Sequence, residues 1–132
     1  MCTYTKGFYR NHPNVTASVI AFMGGSVQVG STNLSAARAQ AVLNATPNDG
    51  SNVTYTSNLL LNLAQQVITA KLNVARGSTT SPSVQSAIAS ASSSITVTLS
   101  GGQIRLTTAL STDAASALVA TIENFNSASD CG

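Results

Sequence analysis

Four segments carry apolar residues at the three- and four-residue spacing of an amphipathic helix. This spacing predicts helices at about 35–45, 57–76, 82–93 and 112–126. The 57–76 segment is apolar around most of its circumference, which is typical of a helix at the centre of a core. Its polar residues fall on one narrow stripe, made of Asn62, Gln66, Thr69, Asn73 and Arg76. We therefore expect 57–76 to be the long central helix.

Two further segments carry β-branched and other apolar residues on both sides of a pair of glycines. The Gly-Gly pairs at 24–25 and 101–102 suit the tight turn of a two-residue hairpin, and predict β-hairpins at about 17–30 and 94–108. Aligning the two glycine pairs suggests a repeated strand–turn–strand–helix unit on either side of the central helix. Four strands would then form one sheet with helices on one face. The predicted fold is α+β and mainly helical, with about four helices.

The chain has two cysteines, Cys2 and Cys131, one near each end of its 132 residues. Because the ends of a domain often lie close together, we expect a disulfide that joins the termini of one domain, residues 1–132. Two free thiols, or bridges to neighbouring subunits, are the alternatives. A bridge indicates an oxidising compartment and hence secretion. Since 1–10 lack the apolar core of a signal peptide, we expect that a secreted form has had its signal removed, whereas a native Met1 would weaken the argument for secretion.

The surface predicted from the composition is nearly uncharged. Charged residues make up 8% of the chain and the formal net charge is +2, against a usual charged share of about 25%. Serine, threonine and asparagine must supply the polar exterior, and such a surface tolerates close packing against copies of itself. The basic residues stand singly, so we expect no nucleic-acid partner. They are Lys6, Arg10, Arg38, Lys71, Arg76 and Arg105.

The residues that catalysis would require are scarce. The acidic residues are Asp49, Asp113, Glu123 and Asp130, and the one histidine is His12. No nucleophile motif, paired-ligand spacing or cofactor motif accompanies them. We therefore expect no enzyme activity, no metal site and no cofactor, and we expect His12 to serve as a structural hydrogen-bonding residue. No apolar stretch is long enough to span a membrane.

Two sets of residues are candidate sites. Four asparagines precede x-Ser or x-Thr and are candidate glycosylation acceptors, although an Asn-, Ser- and Thr-rich chain has such triplets by chance: Asn14, Asn33, Asn44 and Asn52. An aromatic cluster with two basic neighbours lies near the N-terminus and is the candidate binding or interface site: Tyr4, Phe8, Tyr9, Arg10 and His12. Such rings hold sugar faces or act as interface hot spots, or else they fill one end of the core.

The same N-terminal run resembles a known motif. Residues 2–13 read Cys-Thr-Tyr-Thr-Lys-Gly-Phe-Tyr-Arg-Asn-His-Pro. This is similar to an uncharacterised family of secreted bacterial domains that begins Cys-Thr-x-Thr-x-Gly-(Tyr/Phe)-(Trp/Tyr)-(Lys/Arg)-Asn-His-Pro. The resemblance covers most of 2–76, and it departs at Tyr9, where the family usually has Trp, and in the Ser-rich 78–108 region. It implies secretion and a shared fold, and it supplies no catalytic residue.

The functional prediction is an extracellular structural module that self-associates, as a filament or surface-layer subunit. The low charge and the hairpin edges, which could pair between copies, motivate it. The alternative is a carbohydrate- or surface-binding adhesion module that uses the aromatic cluster. A weaker third interpretation is an ice-binding face built from threonine rows, which needs a flat and regular threonine array.

Overall fold

A computed structural model describes residues 1–131 of the chain. Within this range, six α-helices and five β-strands follow one another. The helices are α1 (Lys6–Asn11), α2 (Pro13–Phe22), α3 (Ala36–Asn44), α4 (Asn58–Ala75), α5 (Pro82–Ser93) and α6 (Thr112–Ser127). The strands are β1 (Ser26–Val29), β2 (Thr32–Ser35), β3 (Val53–Tyr55), β4 (Ile95–Ser100) and β5 (Gln103–Thr108).

The predicted α+β class is confirmed, and the four predicted helices correspond to α3, α4, α5 and α6. Each of them begins after a serine whose hydroxyl accepts a hydrogen bond from a backbone N–H of the first turn, which satisfies one donor that the helix leaves open. These capping residues are Ser35, Ser57, Ser81 and Ser111. The expected count of about four helices is too low, because α1 and α2 precede them.

The hairpin predicted at 17–30 is wrong, because helix α2 covers the first half of that segment. Pro13 occupies the first turn, where a missing N–H is harmless, and Thr16 and Ile20, four residues apart, are buried on one face. Gly24 and Gly25 follow the helix end with positive φ angles of 100° and 99°. They stop a helix and do not turn a hairpin, so the proposed repeat is not formed.

A different hairpin occupies this part of the chain. Strands β1 and β2 pair antiparallel, with Val29 opposite Thr32. Gly30 lies in the turn with a φ of 61°, and a Cβ built on it would overlap the carbonyl oxygen of Ile95. Only glycine allows both this backbone conformation and this close approach.

The hairpin predicted at 94–108 is confirmed. Strands β4 and β5 pair antiparallel, with Ser100 opposite Gln103 across the two glycines. The three-residue strand β3 adds to the far side of β5 in parallel, which the sequence reading missed. The strands therefore form a two-stranded and a three-stranded sheet, the latter in the order β3-β5-β4, and not one four-stranded sheet.

Helix α4 is the centre of the core, as predicted. Leu63, Val67, Ile68 and Leu72 are fully buried, and α6 and α5 pack against the helix. Its polar stripe is also largely covered, since Gln66, Thr69 and Asn73 are at most 3% exposed. Buried amides must find hydrogen-bond partners, so the stripe determines what lies on that side of the helix.

Candidate interaction surfaces

The chain ends meet as predicted. Cys2 and Cys131 form a disulfide with a Cα–Cα distance of 5.2 Å across a separation of 129 residues. Backbone hydrogen bonds continue the contact: the Thr3 N–H donates to the carbonyl of Ser129 at 2.9 Å, and the Cys131 N–H donates to the carbonyl of Thr3 at 2.8 Å. The disulfide and this short bridge close the fold.

The polar stripe of α4 holds the N-terminal segment in place, and Asn73 is its central residue. The Asn73 Oδ1 atom accepts hydrogen bonds from the Tyr9 hydroxyl at 2.7 Å and from the Tyr4 N–H at 2.9 Å. Its Nδ2 group donates to the Tyr4 carbonyl at 2.8 Å and to Asn126 Oδ1 at 3.1 Å. All four hydrogen bonds of the Asn73 amide therefore tie the N-terminus and helix α6 to the central helix.

Lys6 and Arg10, two basic residues of the N-terminal motif, also attach the N-terminal segment to the rest of the fold. The Lys6 ammonium donates to Asn62 Oδ1 at 2.7 Å and to Gln65 Oε1 at 3.0 Å, and burial lowers the pKa of Lys6. The Arg10 guanidinium donates to the carbonyls of Leu43 at 2.8 Å and Ala45 at 3.1 Å, at the end of α3. These contacts give the N-terminal motif a structural role in the fold.

The aromatic cluster is a continuous stack. The Tyr4 and Phe8 rings lie parallel at 3.6 Å, and Phe8 and His12 stack at 4.0 Å. The Arg76 guanidinium lies 4.2 Å from the centroid of Tyr4. Because two groups cannot occupy the same side of one ring, both faces of Tyr4 and both faces of Phe8 are filled from within the chain.

The other rings of this cluster differ in exposure. Tyr9 is 0% exposed and meets Tyr4 and Phe8 edge-on, so it is a core residue and cannot contact an external ligand. His12 is exposed, and its Nδ1 lies 2.8 Å from the Phe8 carbonyl, in agreement with the structural role predicted for it. The outer face of His12 is the one ring face that this stack leaves open among the described residues.

The four candidate glycosylation acceptors lie on different elements, and all are exposed. Asn14 is in the first turn of α2, Asn33 is on β2, and Asn44 ends α3. Asn52 precedes β3 and donates a hydrogen bond to the carbonyl of Gly102 at 2.8 Å. Their exposure is compatible with modification, which stays a prediction.

One carboxylate among the described residues is held by backbone groups. Asp49 accepts backbone hydrogen bonds from Thr46 and Ser51, and these bonds lower its pKa to about 2. The carboxylate therefore stabilises a turn. Within residues 1–131, no three His, Cys, Asp or Glu side chains are grouped closely enough to bind a metal ion. Over the same residues, no helix combines the length and apolar character needed to cross a membrane.

The three-stranded sheet presents hydroxyl groups on its outer face, but not as a regular array. Thr96 lies opposite Thr107, whereas Thr98 and Thr54 both lie opposite Arg105 on the central strand. A long charged side chain thus interrupts the threonine rows that an ice-binding face would need. The outer edge of β4 is contacted by the first hairpin, where the Thr32 hydroxyl donates to the Val97 carbonyl at 2.9 Å.

An apolar surface lies on the side of the molecule where α2 and α4 end. Of residues 1–131, three large hydrophobic side chains are exposed: Met1 at 73%, Phe22 at 80% and Val74 at 43%. They border two adjoining grooves, of about 310 and about 510 Å³, which share Ala75 as a lining residue. We call this surface the Phe22 face, defined by Val19, Phe22, Met23, Val74, Ala75 and Ile88.

Sequence reasoning missed the Phe22 face. It assigned Phe22 and Met23 to a strand with alternating inward and outward residues, and this placed them on a hairpin. The glycines at 24–25 are the sequence feature that could have indicated this face. When two large apolar residues stand directly before glycines that stop a helix, they lie at the end of that helix. Spacing alone does not indicate that the ends of α4 and α5 lie beside that tip.

Comparison with known proteins found no family model, no curated protein and no solved structure that matches this chain. The resemblance of residues 2–76 to a secreted bacterial family therefore stays a prediction from its motif. The structure does confirm the disulfide between Cys2 and Cys131.

Proposed function

We propose that this protein is an extracellular, non-enzymatic structural module that self-associates, as a subunit of a filament or surface layer. The observation that carries the proposal is the Phe22 face, where the exposed large hydrophobic side chains of residues 1–131 gather on one side. Contiguous exposed apolar surface of this kind marks interaction sites in soluble proteins.

The electrostatics of the chain support copies of itself as the partner. A formal net charge of +2 and a charged share of 8% produce little repulsion between copies. The disulfide that closes the fold supports an extracellular location, because such bonds persist in oxidising compartments. A filament or surface layer consists of copies that pack side by side outside the cell, and both properties are compatible with such packing.

Light scattering over a wide concentration range tests the proposal. We expect the average mass of the oxidised protein to rise above that of the 13.4 kDa monomer as concentration increases. Phe22→Lys should return it to the monomer mass, because the substitution replaces the most exposed ring of the apolar face with a charge. The matched control is Ala21→Lys, since Ala21 is the preceding exposed residue of the same helix and lines neither groove.

A strictly monomeric wild-type protein at the highest attainable concentration would contradict self-association. An equal loss of association in Phe22→Lys and Ala21→Lys would contradict the Phe22 face as its site, because general charge would then explain the effect. Far-ultraviolet circular dichroism should show unchanged helix content in both variants. A lysine near a helix C-terminus is favourable to the helix dipole, so neither substitution should destabilise α2.

The alternative function is carbohydrate or surface binding by the aromatic cluster. Only the outer face of His12 supports it, since the faces of Tyr4 and Phe8 are filled by neighbouring groups and Tyr9 is buried. Binding to a glycan array that is lost in His12→Ala, with the fold intact, would favour this function. Without any glycan binding by the wild-type protein, the alternative is refuted.

A further inference from the structure

We infer that this protein carries a binding site for a small amino-acid zwitterion, in a pocket between the N-terminal segment and helix α6. The pocket has a volume of about 240 Å³ and shares no lining residue with the grooves of the Phe22 face. We call it the Glu123 pocket, and it is lined by Thr5, Lys6, Gln66, Glu123, Asn126 and Ser127. The inference goes beyond self-association and does not depend on it.

The inner wall of the Glu123 pocket is a continuous chain of hydrogen bonds. Gln66 and Asn126 are at most 3% exposed, and Asn126 Nδ2 donates to Gln66 Oε1 at 2.9 Å. Asn126 Oδ1 in turn accepts from Asn73 at 3.1 Å. At the other end of the chain, Asn62 Oδ1 accepts from Gln66 Nε2 at 3.4 Å and from the Lys6 ammonium at 2.7 Å. These bonds fix the wall side chains before a ligand arrives, which lowers the cost of ordering them on binding.

Three groups of the wall keep a proton that they can donate to a ligand. The Lys6 ammonium has three protons and gives two of them to amide oxygens of α4. The Nε2 group of Gln66 has two protons and gives one to Asn62. The Thr5 hydroxyl accepts from the Phe8 N–H at 3.3 Å and keeps its own proton. One side of the pocket therefore presents donors, one of which is a cation.

The carboxylate of Glu123 supplies an acceptor on the side of the pocket formed by α6. It is exposed, and it makes no hydrogen bond or ion pair with any of residues 1–131. Burial and the charge of Arg10 lower the pKa of Lys6, while the charge of Glu123 acts on it in the opposite direction. The ammonium and the carboxylate thus line one small pocket and influence each other without forming an ion pair.

This separation of opposite charges selects the class of ligand. A simple anion would pair with Lys6 but would be repelled by Glu123, and a simple cation would meet the reverse arrangement. A neutral polyol would pair with neither charge. An amino acid places its carboxylate against the donors and its ammonium against Glu123, so that both of its ends form charge-assisted hydrogen bonds.

The size of the Glu123 pocket restricts the ligand to a small amino acid. Its volume of about 240 Å³ lies below the roughly 300–1,000 Å³ of pockets that hold drug-sized ligands. No aromatic residue lines it, so it has no platform for a sugar ring or a large side chain. Alanine is therefore a suitable probe.

Nuclear magnetic resonance titration of the oxidised protein with alanine tests the inference. We expect saturable shifts of the side-chain amide signals of Gln66 and Asn126, because both amides line the pocket. Propionate lacks the ammonium of alanine and ethylamine lacks its carboxylate, so each should bind at least about tenfold more weakly, as expected when one charge-assisted contact is lost. Glycerol, which is neutral, should not shift these signals to saturation.

A pair of charge-neutralising substitutions in α6 tests the acceptor. Glu123→Gln should weaken alanine binding about tenfold, because the ligand ammonium loses its charged partner. Asp113→Asn is the matched control, since it removes the same charge from an exposed position of the same helix that does not line the pocket. It should bind alanine as the wild type does. Because both positions are exposed, neither substitution disturbs the core.

Four results would overturn the inference. They are the absence of any saturable shift with alanine, equal affinity for alanine and either of its half-molecules, a response to glycerol as strong as that to alanine, and equal affinity of Glu123→Gln and Asp113→Asn. None of them bears on association through the Phe22 face, which light scattering measures separately.

Discussion

The substitution Asn73→Ala should strongly destabilise this protein, although it removes only a small amide. Asn73 is 0% exposed, and its four hydrogen bonds connect the Tyr4 backbone, the Tyr9 hydroxyl and Asn126 to helix α4. An alanine would leave these groups without their partner. The N-terminal segment, with the motif and Cys2, would lose its main polar attachment.

The size of the loss in the free energy of unfolding depends on which of these groups can form hydrogen bonds to water in the variant. The Tyr9 hydroxyl and the Asn126 amide are at most 2% exposed, so each keeps an unsatisfied buried atom, which costs about 1–3 kcal/mol. The backbone groups of Tyr4 are half-buried and can partly rehydrate. We expect a loss of about 3–5 kcal/mol in the free energy of unfolding, a large part of the roughly 5–15 kcal/mol of a typical domain.

Urea unfolding of the oxidised protein, followed by circular dichroism, measures this loss. Asn58→Ala is the matched control, because Asn58 is an exposed residue of the same helix and gains similarly from the better helix former. The control should change stability by no more than about 0.5 kcal/mol. A loss below about 1 kcal/mol for Asn73→Ala, or one equal to that of Asn58→Ala, would refute the role of the polar stripe.

Three further predictions concern the closure of the fold. The double variant Cys2→Ser/Cys131→Ser should lose about 5 kcal/mol in urea unfolding, the value that loop closure gives for a separation of 129 residues; an unchanged midpoint would contradict it. Burial raises the pKa of Tyr9 from 10.0 to about 12, so the hydroxyl ionises first in the unfolded chain. The contribution of the neutral Tyr9 hydroxyl to the free energy of unfolding should be fully present below pH 10 and should decline as the pH rises toward 12. Tyr9→Phe should abolish that alkaline decline. Gly30→Ala should lower the melting temperature, because its φ of 61° and the carbonyl of Ile95 leave no room for a methyl group; a stabilised variant would show that the hairpin shifts freely.

The helices that could be predicted are those whose periodicity and capping agree. In α4, α5 and α6, a serine cap marks the start of the helix and an apolar face marks its inward side, and Gly77 also marks the end of α4, so local sequence decides the structure. Helix α2 was missed although its β-branched residues stand in pairs four residues apart, because such residues followed by two glycines favour a strand and a turn. Its helical state is decided by the burial of Thr16 and Ile20 against the rest of the fold, a tertiary effect.

The candidate surfaces were less predictable than the fold because they depend on contacts between distant residues. The bond between Tyr9 and Asn73 joins positions 64 residues apart, and no spacing in the sequence indicates it. The aromatic residues were recognisable as a cluster, but mutual stacking uses the faces that a ligand would need. The Phe22 face forms only because α2 ends beside α4 and α5.

Sedimentation velocity of the oxidised wild type, Phe22→Lys and Ala21→Lys, run together over one concentration series, tests the account most directly. We expect wild type and Ala21→Lys to sediment faster as concentration rises, while Phe22→Lys keeps the coefficient of a single 13.4 kDa chain. If all three sediment alike at every concentration, the exposed apolar surface at the end of α2 does not join copies of this protein.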